Sequence, residues 1–296
     1  MLLMSRCLLA VFAPAALALG VIVPAPFALA EENAGEADKK AGYHLFRPTP
    51  PSLMRDLSTD RPDITESPYS VDAGHFQLEI DVASYSRDED SARTLENIGL
   101  LDINAKLGLL PNLDLQVGAG TARLETTSTI PGEPSEKASG VTDLVVRLKL
   151  NLWGNDSGQT ALALMPFITL PTGSSDFTSG VTEGGLIVPF AVSLPGDTGL
   201  GLMVEADWLQ DSDGEGFHTE WLTTATVGRS LVGPIGAFVE FTAGQRPKVE
   251  GAWVGTVDVG VTYGPTANVQ LDAGVLLGIS EEADGATFFA GISLRR

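Results

Sequence analysis

Positive charge is scarce: 18 lysines and arginines stand against 38 aspartates and glutamates, for a formal net charge of −20. A surface of that sign repels phosphate backbones, which excludes nucleic acid as a partner. Loops of that sign suit divalent cations and the phosphates of lipopolysaccharide that such cations bridge. Cysteine occurs once, at Cys7, so the rest of the chain has neither disulfide nor thiol chemistry. Histidine occurs three times, at His44, His75 and His218, with no HExxH and no Cys/His cluster. No metal and no cofactor is therefore expected. After residue 30 no stretch approaches ~18 uncharged apolar residues, which excludes a membrane protein built from helices.

What the amino terminus does have is a basic residue, Arg6, followed by an uncharged run from Cys7 to Ala30 that ends Ala28-Leu29-Ala30. Small residues at that spacing suit signal peptidase. Pro14, Pro24 and Pro26 weaken the alternative of a permanent helical anchor. Residues 1–30 are thus expected to be a cleavable signal that removes Cys7. Residues 31–73 form an amino-terminal segment, and residues 74–296 form one continuous domain, since no Pro/Ser-rich linker divides them.

From Gly74 onward apolar and polar residues alternate in segments of about ten, a period of two. Phe76, Leu78, Ile80 and Val82 fall on one face and Gln77, Glu79 and Asp81 on the other. Leu144, Val146, Leu148, Leu150 and Leu152 oppose Asp143, Arg147, Lys149 and Asn151 in the same way. The pattern predicts strands near 75–86, 97–109, 113–124, 141–153, 159–170, 184–194, 199–209, 219–230, 235–245, 253–263, 269–279 and 286–295. The fifth and eighth alternate poorly, which leaves a range of ten to fourteen.

Connections alternate too. Tight turns such as Leu110-Pro111-Asn112 and Pro195-Gly196-Asp197 follow even strands. Longer, more polar stretches (87–96, 125–140, 171–183, 210–218) follow odd ones. Short periplasmic turns and longer external loops are the habit of outer-membrane barrels. Tyr85, Trp208, Trp221, Trp253 and Phe288 sit near the long-loop ends of their strands, and Trp153 and Tyr263 near the short-turn ends, as two interfacial girdles would require. A sheet in lipid cannot leave an edge unpaired and must close on itself. The sequence therefore predicts an all-β protein, a closed antiparallel transmembrane β-barrel of about 12 strands, with both termini periplasmic. It belongs in the outer membrane of a Gram-negative bacterium, with outer-membrane lipid and the barrel-assembly machinery as partners.

Ser58-Thr59-Asp60-Arg61-Pro62-Asp63-Ile64-Thr65-Glu66-Ser67-Pro68 and Gly74-His75-Phe76-Gln77-Leu78-Glu79 resemble the phenol-degradation meta-pathway family of outer-membrane transporters. GVTDLVVRLK at 140–149, Leu170-Pro171-Thr172-Gly173 and Glu183-Gly184-Gly185-Leu186 extend the resemblance over most of residues 58–295. It implies a barrel for uptake of hydrophobic or aromatic compounds. One departure is the end, Leu294-Arg295-Arg296, where such barrels usually place an aromatic residue read by the assembly machinery.

The polar face carries Glu79, Asp81, Asp102, Asp114, Asp143, Glu205, Asp207, Glu240, Asp258 and Asp272 against Lys106, Arg147, Lys149 and Arg295. Such an interior favours cations; the same charges could equally pair into a structural network. Asp60, Arg61, Asp63 and Glu66, between the stiffening Pro62 and Pro68, are the candidate constriction element, with a disordered lead-in as the alternative. Phe238 and Phe289 are the main aromatic residues expected in the lumen. The loop Asp211-Ser212-Asp213-Gly214-Glu215-Gly216 begins like a calcium loop but has Leu222 at its twelfth position, so it reads as a solvated acidic loop. Two functions follow: a passive or gated channel for small, hydrophobic or aromatic solutes, or a structural barrel with a plugged interior. An outer-membrane lipid hydrolase ranks behind both, because no nucleophile elbow accompanies His218 near Ser212.

Overall fold

In the computed structural model, residues 39–89, 93–128, 136–211, 214–245 and 253–296 are described. The signal segment, residues 31–38, and Ser212 and Asp213 of the acidic loop lie outside them. The strands are β1 (Phe76–Glu89), β2 (Arg93–Leu110), β3 (Leu113–Ser128), β4 (Glu136–Val141), β5 (Leu144–Trp153), β6 (Thr160–Leu170) and β7 (Glu183–Leu194). They continue with β8 (Thr198–Gln210), β9 (Phe217–Val232), β10 (Ile235–Gln245), β11 (Trp253–Thr266), β12 (Val269–Gly278) and β13 (Ala286–Arg295).

Apart from β4 and β5, which both pair with β3, each strand pairs antiparallel with its sequence neighbours, and β1 pairs with both β2 and β13, from Gln77↔Arg295 to Arg87↔Ala286. The sheet thus closes. Thirteen segments fill twelve strand positions because β3 forks. Its first half pairs with β5 (Leu113↔Leu150) and its second with β4 (Thr121↔Val141). The single strand expected at 141–153 is broken at Thr142 and Asp143. Thr142 Oγ1 accepts from Gly120 N at 2.8 Å, while the Asp143 carboxylate turns to the 171–182 loop.

Polarity is inverted relative to a soluble protein. Leu148, Leu150, Leu152, Val239, Phe241, Val259, Val261 and Leu271 point out and are exposed. Glu79, Lys106, Asp114, Gln116, Lys149, Asn151, Glu240 and Asp258 point in and are buried. A continuous apolar belt of this size on a soluble molecule would drive aggregation, whereas in a bilayer it faces hydrocarbon. Trp153, Trp208, Trp221, Trp253, Tyr263 and Phe288 are also exposed, near strand ends.

Several stretches expected as loops are strand. β1 and β2 stay paired to Glu89↔Thr94, and β3 and β4 to Thr126↔Glu136. Ladder hydrogen bonds need no apolar face, so a hairpin can continue beyond the belt with polar residues that read as loop. At the opposite end the turns are tight, and Gly196 and Asp197 both have positive φ (76° and 53°), the conformation that joins twisted strands in two residues. The first and last strands begin and finish at this short-turn end, where Phe76 N donates to Arg296 O at 3.0 Å.

Candidate functional site

The interior is not empty. Residues 54–73 run through it as an irregular strap. Pro62 and Pro68 deny it a helix or a ladder, so its backbone groups need other partners. The wall supplies them with side chains. Asp60 N donates to Glu79 at 3.1 Å, Ile64 N and Thr65 N each to Glu240 at 2.8 Å, Ser70 N to Asn155 at 3.0 Å, and Val71 N to Asp114 at 2.8 Å. In the other direction Gln77 donates to Ser58 O and Asn151 to Pro68 O, both at 2.8 Å.

Charge fixes the strap more firmly. Asp60 lies between two cations from different strands, Lys149 at 2.5 Å and Lys106, which also pairs with Glu79. Lys106, Glu79 and Lys149 are at most 2% exposed. Arg61 reaches the other side of β1, pairing with Asp272 at 2.7 Å and Asp81 at 3.2 Å, 6.0 Å from the Phe289 ring centroid. A Cβ at Gly291 would collide with the Arg61 guanidinium, so glycine there makes room for it. Glu66 pairs with Arg147 at 3.1 Å. The tip is apolar: Ile64 packs against Met165, Ile187 and Met203 on the β6–β8 wall.

Of the sequence-derived candidates, Asp60, Arg61, Glu66, Glu79, Asp81, Lys106, Arg147, Lys149, Glu240 and Asp272 thus meet at the strap. Asp63 lies at the tip beside Thr226 and Glu240. Asp258 stands directly across from Glu240 in the ladder. Asp102, Glu205 and Asp207 lie nearer the long-loop end than the strap contacts on their strands, Lys106 and Met203. Asp143 is the correction. It accepts from Gly173 N at 2.7 Å, Thr178 Oγ1 at 3.1 Å and Ser179 N at 3.3 Å, so it organises a loop and not the constriction. Burial pushes its carboxyl up, but these donors together outweigh it and hold the carboxyl below the usual range. The strict alternation that placed it inward stops at the β4–β5 break. Arg295 sits at the short-turn rim, donating to Asn268 at 2.9 Å.

Sequence reasoning missed a second cluster at that rim. Asp156, in the β5–β6 turn, pairs with Lys40 at 2.5 Å and Arg55 at 2.8 Å, and both cations also reach Asp72, at 3.1 and 3.4 Å. The four residues are far apart in sequence, and only Asp156 lies in the barrel domain, in a turn that reads as ordinary punctuation. Burial pushes the Asp156 carboxyl up, but Arg55 and Lys40 outweigh it and hold it below its ordinary value. A depressed carboxyl contributes stability above its unfolded value and loses it as pH falls through the folded one. The rim should therefore hold unchanged from pH 8 to pH 5 and loosen only in strong acid, while Asp156→Asn should loosen it at neutral pH. Protease nicking of residues 39–57 measures this.

Between the strap and the β7–β12 wall a cavity of about 440 Å³ remains, bordered by Gly201, Gly228, Gly236, Phe238, Thr262 and Gln270. The chain is similar in fold to an outer membrane channel from Pseudomonas putida F1, at 16% identity over 81% of this chain and 99% of that one, with a TM-score of 0.54. More distant likenesses are the β domain of the Bordetella autotransporter BrkA (14% identity, 74% and 98% covered, TM-score 0.46) and the CymD monoaromatic hydrocarbon channel (8%, 75% and 87%, TM-score 0.43). No curated protein matches the sequence. The family model described as "Putative MetA-pathway of phenol degradation" matches residues 59–295, which takes in both the strap and the barrel, and the chain belongs to that family.

Proposed function

We propose that this protein is an outer-membrane channel that admits small solutes, hydrophobic or aromatic ones among them, by passive or gated diffusion. In this reading the short-turn end and both termini face the periplasm, the long-loop end faces outward, and residues 1–30 are removed on export. The observation that carries it is an apolar-walled, polar-centred barrel whose internal strap leaves about 440 Å³ unfilled. The family description supports a link to phenol degradation, and hence aromatic solutes.

Glu205, Asp207, Asp102 and Asp258 line strands facing the interior with no ion pair to a cation among the described residues, so the interior field favours cations. Reconstituted protein should conduct, with a reversal potential in a KCl gradient displaced toward K⁺, and proteoliposomes should take up neutral aromatic solutes. Silent or anion-selective bilayers would contradict this reading.

The second reading, a structural barrel with a plugged interior, is favoured by the density of buried ion pairs around Asp60. Proteoliposomes that exclude every neutral, cationic and anionic solute would establish it. The two ring nitrogens of His218 lie 2.8 Å from an Asp211 carboxylate oxygen and 3.3 Å from one of Glu220, which gives it an ordinary structural place at the long-loop rim. His218→Ala should leave uptake intact and show no loss in a phospholipase assay.

A further inference from the structure

The strap divides the interior unequally. Its ion pairs run to β1, β2, β5 and β12: Asp60 to Lys106 and Lys149, Arg61 to Asp81 and Asp272, Glu66 to Arg147. On that side Gln77, Gln116, Lys149 and Asn151 are packed so tightly that none is more than 3% exposed. Toward β7–β11 no ion pair tethers the strap among the described residues. Its contacts there are uncharged on the wall side apart from the Glu240 carboxylate: the Thr224, Thr226 and Ser193 hydroxyls, which meet Thr65, Asp63 and Tyr69, and the Met203 patch.

Below those contacts the wall recedes. Inward positions near the short-turn end of β8, β9 and β10 are glycines (Gly199, Gly201, Gly228, Gly236), and the cavity lies against them. A Cβ at Gly199 would meet nothing within 4 Å, and one at Gly228 only ordinary contacts at 3.9 Å. At Gly201 and Gly236 a Cβ would come within 2.7 Å of Thr226 and Thr262, so the open space lies at Gly199 and Gly228. The cavity's charged lining is Arg61, Asp63 and Glu66 of the strap and Asp197 and Arg229 at the rim; between them the wall offers Ser193, Thr262 and Gln270 beside the Phe238 ring.

Resting on the channel reading above, we infer that the strap stays seated during transport and that small uncharged solutes pass beside it, through the glycine-lined slot along β7–β12. Unseating the strap would break the ion pairs of Asp60 with Lys106 and Lys149, of Arg61 with Asp81 and Asp272, and of Glu66 with Arg147 together. Passage beside it leaves every one of these ion pairs in place.

The slot and the strap can be tested separately. The Cβ of a residue at Gly201 would lie 3.9 Å from that of Thr65, inside the roughly 3.5–4.5 Å that a disulfide spans. Thr65→Cys with Gly201→Cys therefore ties the tip to β8, and the only other cysteine is Cys7. Gly199→Phe and Gly228→Phe place a ring in the slot without a backbone clash. Each variant is first shown to fold by its heat-modifiable mobility. Swelling of proteoliposomes in arabinose, which lipid excludes, gives the rate. The double-cysteine variant should swell at the same rate oxidised and reduced, within about twofold, while either phenylalanine should slow swelling by about tenfold. Slower swelling on oxidation would overturn the seated strap, and unaffected phenylalanine variants would overturn the slot. No swelling in the unaltered protein would overturn the channel reading itself, a distinct outcome.

Discussion

Removal of residues 31–70 should raise single-channel conductance several-fold while leaving a folded, heat-modifiable barrel. A twelve-stranded barrel is wider than the eight-stranded kind that side chains can fill, and here the strap occupies the difference. The barrel should survive because the deletion changes the solvent of the wall charges as well as their partners. With the strap gone, water enters, and Lys106, Lys149 and Arg147 become hydrated cations beside Glu79, Asp114 and their neighbours. The desolvation that makes a lone buried charge costly then disappears. An unchanged conductance would mean that the strap does not obstruct the interior.

Asp60→Asn is the opposite case, a charge removed while the site stays dry. Asp60 bridges Lys106 and Lys149 and accepts from Ser67 N at 3.0 Å. Lys106 keeps Glu79, but Lys149 loses its ion pair. Breaking a buried pair from one side costs about 3–5 kcal/mol, which would shift the balance between seated and released strap by roughly 10²–10⁴-fold. The expected result is rapid proteolysis of residues 39–73 in a barrel that remains intact, with frequent transitions to a larger conductance. Adding Lys149→Met should recover most of the protection, because it removes the stranded cation; a double variant no better than the single would show that the two residues are not coupled. Glu240→Ala should release only the tip, since the Asp60 anchor is separate and the acceptor lost serves Ile64 and Thr65.

The twelve strand positions were legible because a sheet with hydrocarbon on one side and polar interior on the other writes a period of two into every strand. Leu148 and Lys149, or Val239 and Glu240, could hardly be assigned otherwise. The extension of β1 and β2 to Glu89 and Arg93 was not legible, because outside the belt nothing penalises polar residues on both faces. The break at Asp143 was hidden for a related reason: one residue in the polar phase of a strand looks the same whether it faces the interior or caps a loop.

For the strap, composition marked Asp60 to Glu66 as unusual, dense in charge and stiffened by proline. What composition could not supply was the pairing. Asp60 finds Lys149, and Arg61 finds Asp272, across separations fixed only when the barrel closes. The rim residues Lys40, Arg55, Asp72 and Asp156 illustrate the same limit. Ile64 shows another, since a single apolar residue among charges carries no period to say which wall it will meet.

Amide hydrogen exchange across residues 54–73, in detergent-solubilised protein whose fold has been checked, bears most directly on whether this segment is part of the barrel's interior. The amides of Asp60, Ile64, Thr65, Ser67 and Val71, each donated to a wall or strap carboxylate, should exchange as slowly as those of the neighbouring strands. Exchange of all five at the rate of an unstructured peptide would contradict the account.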